Sequence, residues 1–101
     1  MTQQTESKII RKAAKALLTE GYSIRVHDGT EFATDKTTKI TEIMAECFAT
    51  DTTSFIVYDA MNTRAGWIQF IHGNGEDVIS DYTTNLDTIM EPVMDYCESL
   101  F

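Results

Sequence analysis

Between Phe70 and Asp87 the chain reads FIHGNGEDVISDYTTNLD, which gathers the residue types that do chemistry: a histidine, a serine, a tyrosine and several carboxylates around two glycines. Carboxylates at this density raise the chemistry of a hard cation first, since such ions take several oxygen ligands and Asp59, Glu76, Asp77, Asp81 and Asp87 could converge on one. The spacing fits no known loop. A calcium helix-loop-helix site needs glycine at its sixth position and glutamate at its twelfth, whereas DYTTNLDTIMEP, counted from Asp81, offers Leu86 and Pro92. Turn chemistry is the preferred reading: Gly73 and Gly75 allow positive φ, Asn74 tolerates it, and Asp81 or Asp87 can accept backbone N–H groups near a helix start. A phosphate cradle needs helix-opening amides and usually a lysine, and GNGEDVISD supplies acids instead. No metal, nucleotide or other cofactor is expected.

For catalysis, His27 with Asp28 or His72 with Asp81 could serve as a base and its orienting carboxylate, with Ser80, Cys47 or Cys97 as nucleophile. Asp77 and Asp81 could share acid and base work. None of these stands in a spacing that marks an active site, and 101 residues leave little room for a deep cleft. The expectation is a protein that is not an enzyme. Cys47 and Cys97 lack the near neighbours of a redox pair or a zinc site and read as reduced core thiols.

Charge says more than any motif. The formal net charge is −8, and residues 1–50 balance seven bases against seven acids, while residues 51–101 set Arg64 alone against nine acids. Such a field repels phosphate and anionic lipid, so direct nucleic-acid or membrane binding is disfavoured and a basic protein surface is the favoured partner. No leader pattern and no apolar run near the roughly 18 residues of a span is visible, which makes a cytoplasmic location the expectation.

The elements that must position these residues are readable from periodicity. Ile9, Ile10, Ala13, Ala16 and Leu17 form a helical stripe, with Thr5 a candidate cap and Gly21 a left-handed stop. YSIRVHDGTEFAT alternates around Asp28-Gly29 and predicts a hairpin with one apolar face. Ile40, Ile43, Met44, Cys47 and Phe48 predict a second helix, capped from Asp35, Thr37 or Thr38. A second extended pair spans Phe55 to Tyr58 and Trp67 to His72. Leu86, Ile89, Met90, Val93, Met94 and Cys97 predict a third helix capped by Thr84 or Asn85, with Pro92 either kinking it or standing near the start of a new one.

The order α-β-β-α-β-β-α predicts a single α+β domain over 1–101, a four-stranded antiparallel sheet packed with three helices. Whether DVIS adds a further strand stays open. The second hairpin is apolar on both faces. Either the third helix crosses to cover the far face, or Tyr58, Trp67 and Ile71 remain as a face for a second copy or a partner.

The DG at Asp28-Gly29, the TD at Thr50-Asp51, the GN at Gly73-Asn74 and the DVISDYT at Asp77 to Thr83 together resemble a pattern of small proteins encoded by bacteriophages and prophages, with His72 where the pattern has an aromatic. The resemblance spans nearly the whole chain. It implies an accessory phage context and no reaction, and it singles out Asp81 and Tyr82. The expected function is therefore that of a phage or prophage accessory protein whose acidic half binds a basic protein surface, in its sharpest form an anti-defence mimic of nucleic acid. A homodimeric assembly domain is the alternative.

Overall fold

A computed structural model describes residues 3–101. Its elements are α1 (Gln3–Thr19), β1 (Ser23–His27), α2 (Ile40–Ala45), β2 (Thr52–Tyr58), β3 (Arg64–Ile71), β4 (Ile79–Tyr82) and α3 (Asp87–Ser99), with single 3-10 turns at Gly75–Asp77 and Thr84–Leu86. The four strands form one antiparallel sheet in the order β1-β2-β3-β4. The α+β class, the four strands and the three helices are as the sequence predicts.

The element order departs from the expectation in one place. After β1 the chain turns at Asp28-Gly29 and comes back along the strand, but only isolated bridges form, His27 with Phe32 and Ile24 with Thr37. Side chains take over the ladder between them: the Thr34 hydroxyl accepts Val26 N–H at 3.0 Å, and Arg25 Nε donates to the Thr34 carbonyl at 2.9 Å. The fourth strand comes instead from Ile79–Tyr82, the segment left open above.

Alternate residues of the sheet, Ile24, Val26, Phe55, Val57, Ile68 and Phe70, are fully buried and share one cluster with Ile9, Ile10, Ala13, Leu17, Met90 and Val93 of α1 and α3. All three helices therefore join one side of the sheet, with α1 beside both α2 and α3. The third helix does not cross to the far face, because its apolar stripe is consumed by the same core that α1 closes.

Three local expectations are corrected. Thr5 lies inside α1 and not ahead of it, while Gly21 at φ +89° does end that helix. The second helix is only six residues long and capped at Glu46, so Cys47 and Phe48, the latter at φ +70°, lie beyond it. Thr84 and Asn85 do not cap α3: the Asn85 amide donates to the Ala65 carbonyl at 2.5 Å, Thr83 accepts Trp67 N–H, and α3 runs through Pro92 from a 3-10 lead-in.

That lead-in presses on β3. A Cβ at Gly66 would stand 2.3 Å from the Thr83 hydroxyl and 3.2 Å from Leu86 Cδ1. Gly66→Ala should lower stability by about 1–3 kcal/mol in a denaturant titration, through overpacking. Wild-type stability in that variant would mean the β3 approach is not close.

Candidate functional site

The sheet and α3 decide where the carboxylates go. Asp59 is half-buried in the β2–β3 turn, where its Oδ1 accepts the Met61 and Thr63 N–H groups, each at 2.9 Å. It braces a turn at the opposite end of the sheet from Glu76 and Asp77, which sit exposed in the β3–β4 connection. Asp81 on β4 and Asp87 at the start of α3 are exposed as well. Among the described residues no group of three or more His, Cys, Asp or Glu is arranged to hold a metal ion. The five carboxylates thus do not converge; Glu76, Asp77, Asp81 and Asp87 are the exposed ones, and Asp59 stands apart in its turn.

The flank is longer than sequence reasoning found. Asp87, Glu91, Asp95 and Glu98 recur at i, i+4, i+8 and i+11 and are all exposed, so they form one outward stripe of α3. Helix α3 returns toward the β3–β4 connection, where the Cys97 thiol lies 3.4 Å from the Glu76 carbonyl. The helical spacing of Glu91, Asp95 and Glu98 was the available signal. Tyr82 stands between Asp81 and Asp87; burial, then its hydrogen bond to Asp87, pushes the phenol up. The described ion pairs are Lys39–Glu42 and His72–Glu6, so no base neutralises this flank among the described residues.

A second constellation is internal. Glu6, at 3% exposed, accepts Gly73 N–H at 2.8 Å and places its other oxygen 3.6 Å from His72 Nδ1. That is an electrostatic contact, too long for a hydrogen bond. His72 Nε2 lies 2.7 Å from the Thr53 hydroxyl, and the Phe48 ring packs on the imidazole at 4.3 Å between centroids. Carboxylate, imidazole and hydroxyl follow the order of a nucleophile relay. Thr53 is only 1% exposed, however, so its hydroxyl ties β2 to the β3–β4 connection and meets no substrate. His72 finds Glu6 here, and not Asp81.

The remaining candidates also make structural contacts. His27 accepts Gly29 N–H, and the Asp28 carboxylate, held below its usual range by the backbone N–H of Glu31 and then of Thr30, closes the same turn. Ser80 reaches Gln69 at 3.4 Å. Both cysteines are free and buried; burial pushes the Cys47 thiol up to about 12, and Cys97 rises for the same reason.

Tyr58, Trp67 and Ile71 do share the sheet face away from the helices, with Ile56 beside Trp67 in register. Each of the three is half-buried. The returning segment edges this face: Lys36 Nζ sits 4.2 Å over the Tyr58 ring, and the Arg25 guanidinium 3.7 Å over Phe32. On the helical side, an open groove of about 520 Å³ runs between α1 and α3, lined by Lys8, Arg11, Lys12 and Lys15 on one wall. Comparison with protein families, curated proteins and solved structures gives no match to the chain. No helix among the described residues is long and apolar enough to cross a membrane.

Burial holds His72 below the ordinary imidazole range, against the opposing pull of the Glu6 carboxylate and, more weakly, Asp51. The unfolded chain then takes up this proton more readily than the folded one. The contribution to stability is complete above the unfolded value of about 6.5 and is lost as pH falls through the lower folded value. Tm should drop between about pH 7.5 and about pH 5.5, and drop less in His72→Gln. Equal pH slopes in the two proteins would remove His72 as the cause.

Proposed function

We propose that the protein is a binding module whose acidic flank engages a basic surface of another protein. The observation that carries this reading is that Glu76, Asp77, Asp81, Asp87, Glu91, Asp95 and Glu98 are all exposed and none has a basic partner among the described ion pairs. Carboxylates fixed on a helix and a strand can occupy the positions that phosphates take in a nucleic-acid groove. Rigid mounting lowers the entropy lost on binding, and opposite fields speed encounter. The resemblance to small phage and prophage proteins supports an accessory setting, and an anti-defence role is the sharpest form of the charge-based reading. In that setting the target is a nucleic-acid-binding protein of the host or of a competing phage.

A second reading has its own observation. The far sheet face carries Ile56, Tyr58, Trp67 and Ile71 with no helix over it, which suits an apolar contact between two copies. Salt separates the two, because a charge-driven complex weakens with ionic strength while an apolar one persists.

The test is capture from host lysate at about 0.05 M and about 0.5 M salt, with release by duplex DNA. It compares the wild type with Glu76→Gln/Asp77→Asn/Asp81→Asn and with a control neutralising Glu31, Asp35 and Glu46 on the other half of the chain. The expected outcome is a nucleic-acid-binding partner released by salt and DNA, lost in the flank variant and retained in the control. A partner held equally by both variants would reject the flank. A salt-resistant dimer without a partner, broken by Trp67→Glu, would favour the second reading.

A further inference from the structure

The groove between α1 and α3 has a chemistry opposite to that of the acidic flank. Lys8, Arg11, Lys12 and Lys15 follow one another at i, i+3, i+4 and i+7 along α1, and all four are exposed. They are half of the chain's eight lysines and arginines. None has a carboxylate partner among the described ion pairs, and Glu20 is the single acid in the lining. Lys12 Nζ lies 5.0 Å over the Tyr96 ring, which holds one ammonium at the groove's edge.

The other wall is apolar. Ile89, Pro92, Val93 and Tyr96 of α3 line it, with Ala16 of α1 and the exposed Thr88. Pro92 has no N–H to give the Thr88 carbonyl, so an acceptor is left at that wall. The acids of α3 point elsewhere: Asp87, Glu91, Asp95 and Glu98 form a separate stripe and are absent from the lining. Helix α3 thus shows three strips, one to the core, one acidic, and one apolar strip facing the bases of α1.

We propose that this groove is a docking site for an acidic amphipathic helical segment of a partner protein, independent of the acidic flank. Such a segment lays apolar side chains on Ile89, Pro92 and Ala16 while its Asp and Glu residues meet Lys8, Arg11, Lys12 and Lys15, a helix-in-groove contact with charge complementarity. From Lys8 to Thr19 the lining runs about 16 Å along α1, which matches roughly three turns of a bound helix. A nucleic-acid backbone would match the cations but leave the apolar wall unused. A second copy of this chain would set its full charge of −8 against the same charge, whereas a short segment brings only the few carboxylates that the four bases meet.

The probe is a fluorescein-labelled synthetic peptide of about 14 residues, roughly four turns if helical, with Leu at i, i+3, i+4 and i+7 and Glu on the flanks, titrated with the full chain by fluorescence anisotropy. A scrambled peptide of the same composition and a labelled single-stranded oligonucleotide are the comparisons. Arg11→Gln/Lys15→Gln removes two exposed charges without threatening the fold. Lys36→Gln/Lys39→Gln removes two charges outside the groove. Ile89→Ser tests the apolar wall, with its Tm checked.

Saturable binding of the patterned peptide is expected, weaker by about tenfold in Arg11→Gln/Lys15→Gln and several-fold in folded Ile89→Ser, and unchanged in Lys36→Gln/Lys39→Gln. The scrambled peptide should bind at least about tenfold more weakly. Equal binding of both peptides, binding of the oligonucleotide alone, equal losses in the two lysine and arginine variants, or no saturable binding would overturn the proposal. So would self-association that the peptide cannot displace and that Arg11→Gln/Lys15→Gln abolishes.

Discussion

One side of a four-stranded sheet closes the whole interior. Ile24, Val26, Phe55, Val57, Ile68 and Phe70 alternate toward the helices, and each is fully buried. Side chains alternate with period two, so a slip of one residue in any of these strands would send its buried set to the far face and bring Arg25, Trp67 or Gln69 into the core. The groove and the charged strip both follow from that one-sidedness. It forces α1 and α3 side by side on one face, which creates the groove, and it turns the charged strip of α3 outward.

A polar clamp fixes the end of this arrangement. Glu6 bonds Gly73 N–H and faces His72, and His72 in turn meets Thr53 and Phe48, so α1, β2, the end of α2 and the β3–β4 connection meet at one point. A buried carboxylate is tolerable only with such partners. The left-handed backbone at Phe48 accompanies the packing of its ring on the imidazole.

Much of this was legible in the sequence. The stripe of α1, the paired β2 and β3, and the stripe of α3 through Met90, Val93 and Cys97 follow from spacing alone, because periodicity reports burial. The run after β1 misled because its residues alternate like a strand while Thr34 and Arg25 bond the backbone in place of a ladder. The caps of α3 misled because Asn85 has a nearby carbonyl on β3 to bond, a tertiary partner that no local pattern reveals. Glu6 could have been found: it precedes Ile9, Ile10 and Ala13 by helical steps and so stands on the apolar stripe, where a carboxylate implies a partner. Of the acidic residues singled out, Asp81 and Asp87 lie on the flank as exposed groups, whereas Asp59 is spent on its turn.

The sheet has two margins, and the chain treats them differently. The returning segment through Ala33 and Thr37 bonds the outer side of β1 and occupies it. At the other margin β4 is four residues long, breaks register at Gln69/Phe70, and displays Asp81 outward. Short length, a bulge and a charge are the devices that stop sheets from stacking end on into fibrils. A like strand from another copy would set carboxylate near carboxylate, so this margin selects against self-polymerisation. A strand that could extend the sheet here would have to come from a different chain, short, and with a lysine or arginine set near Asp81.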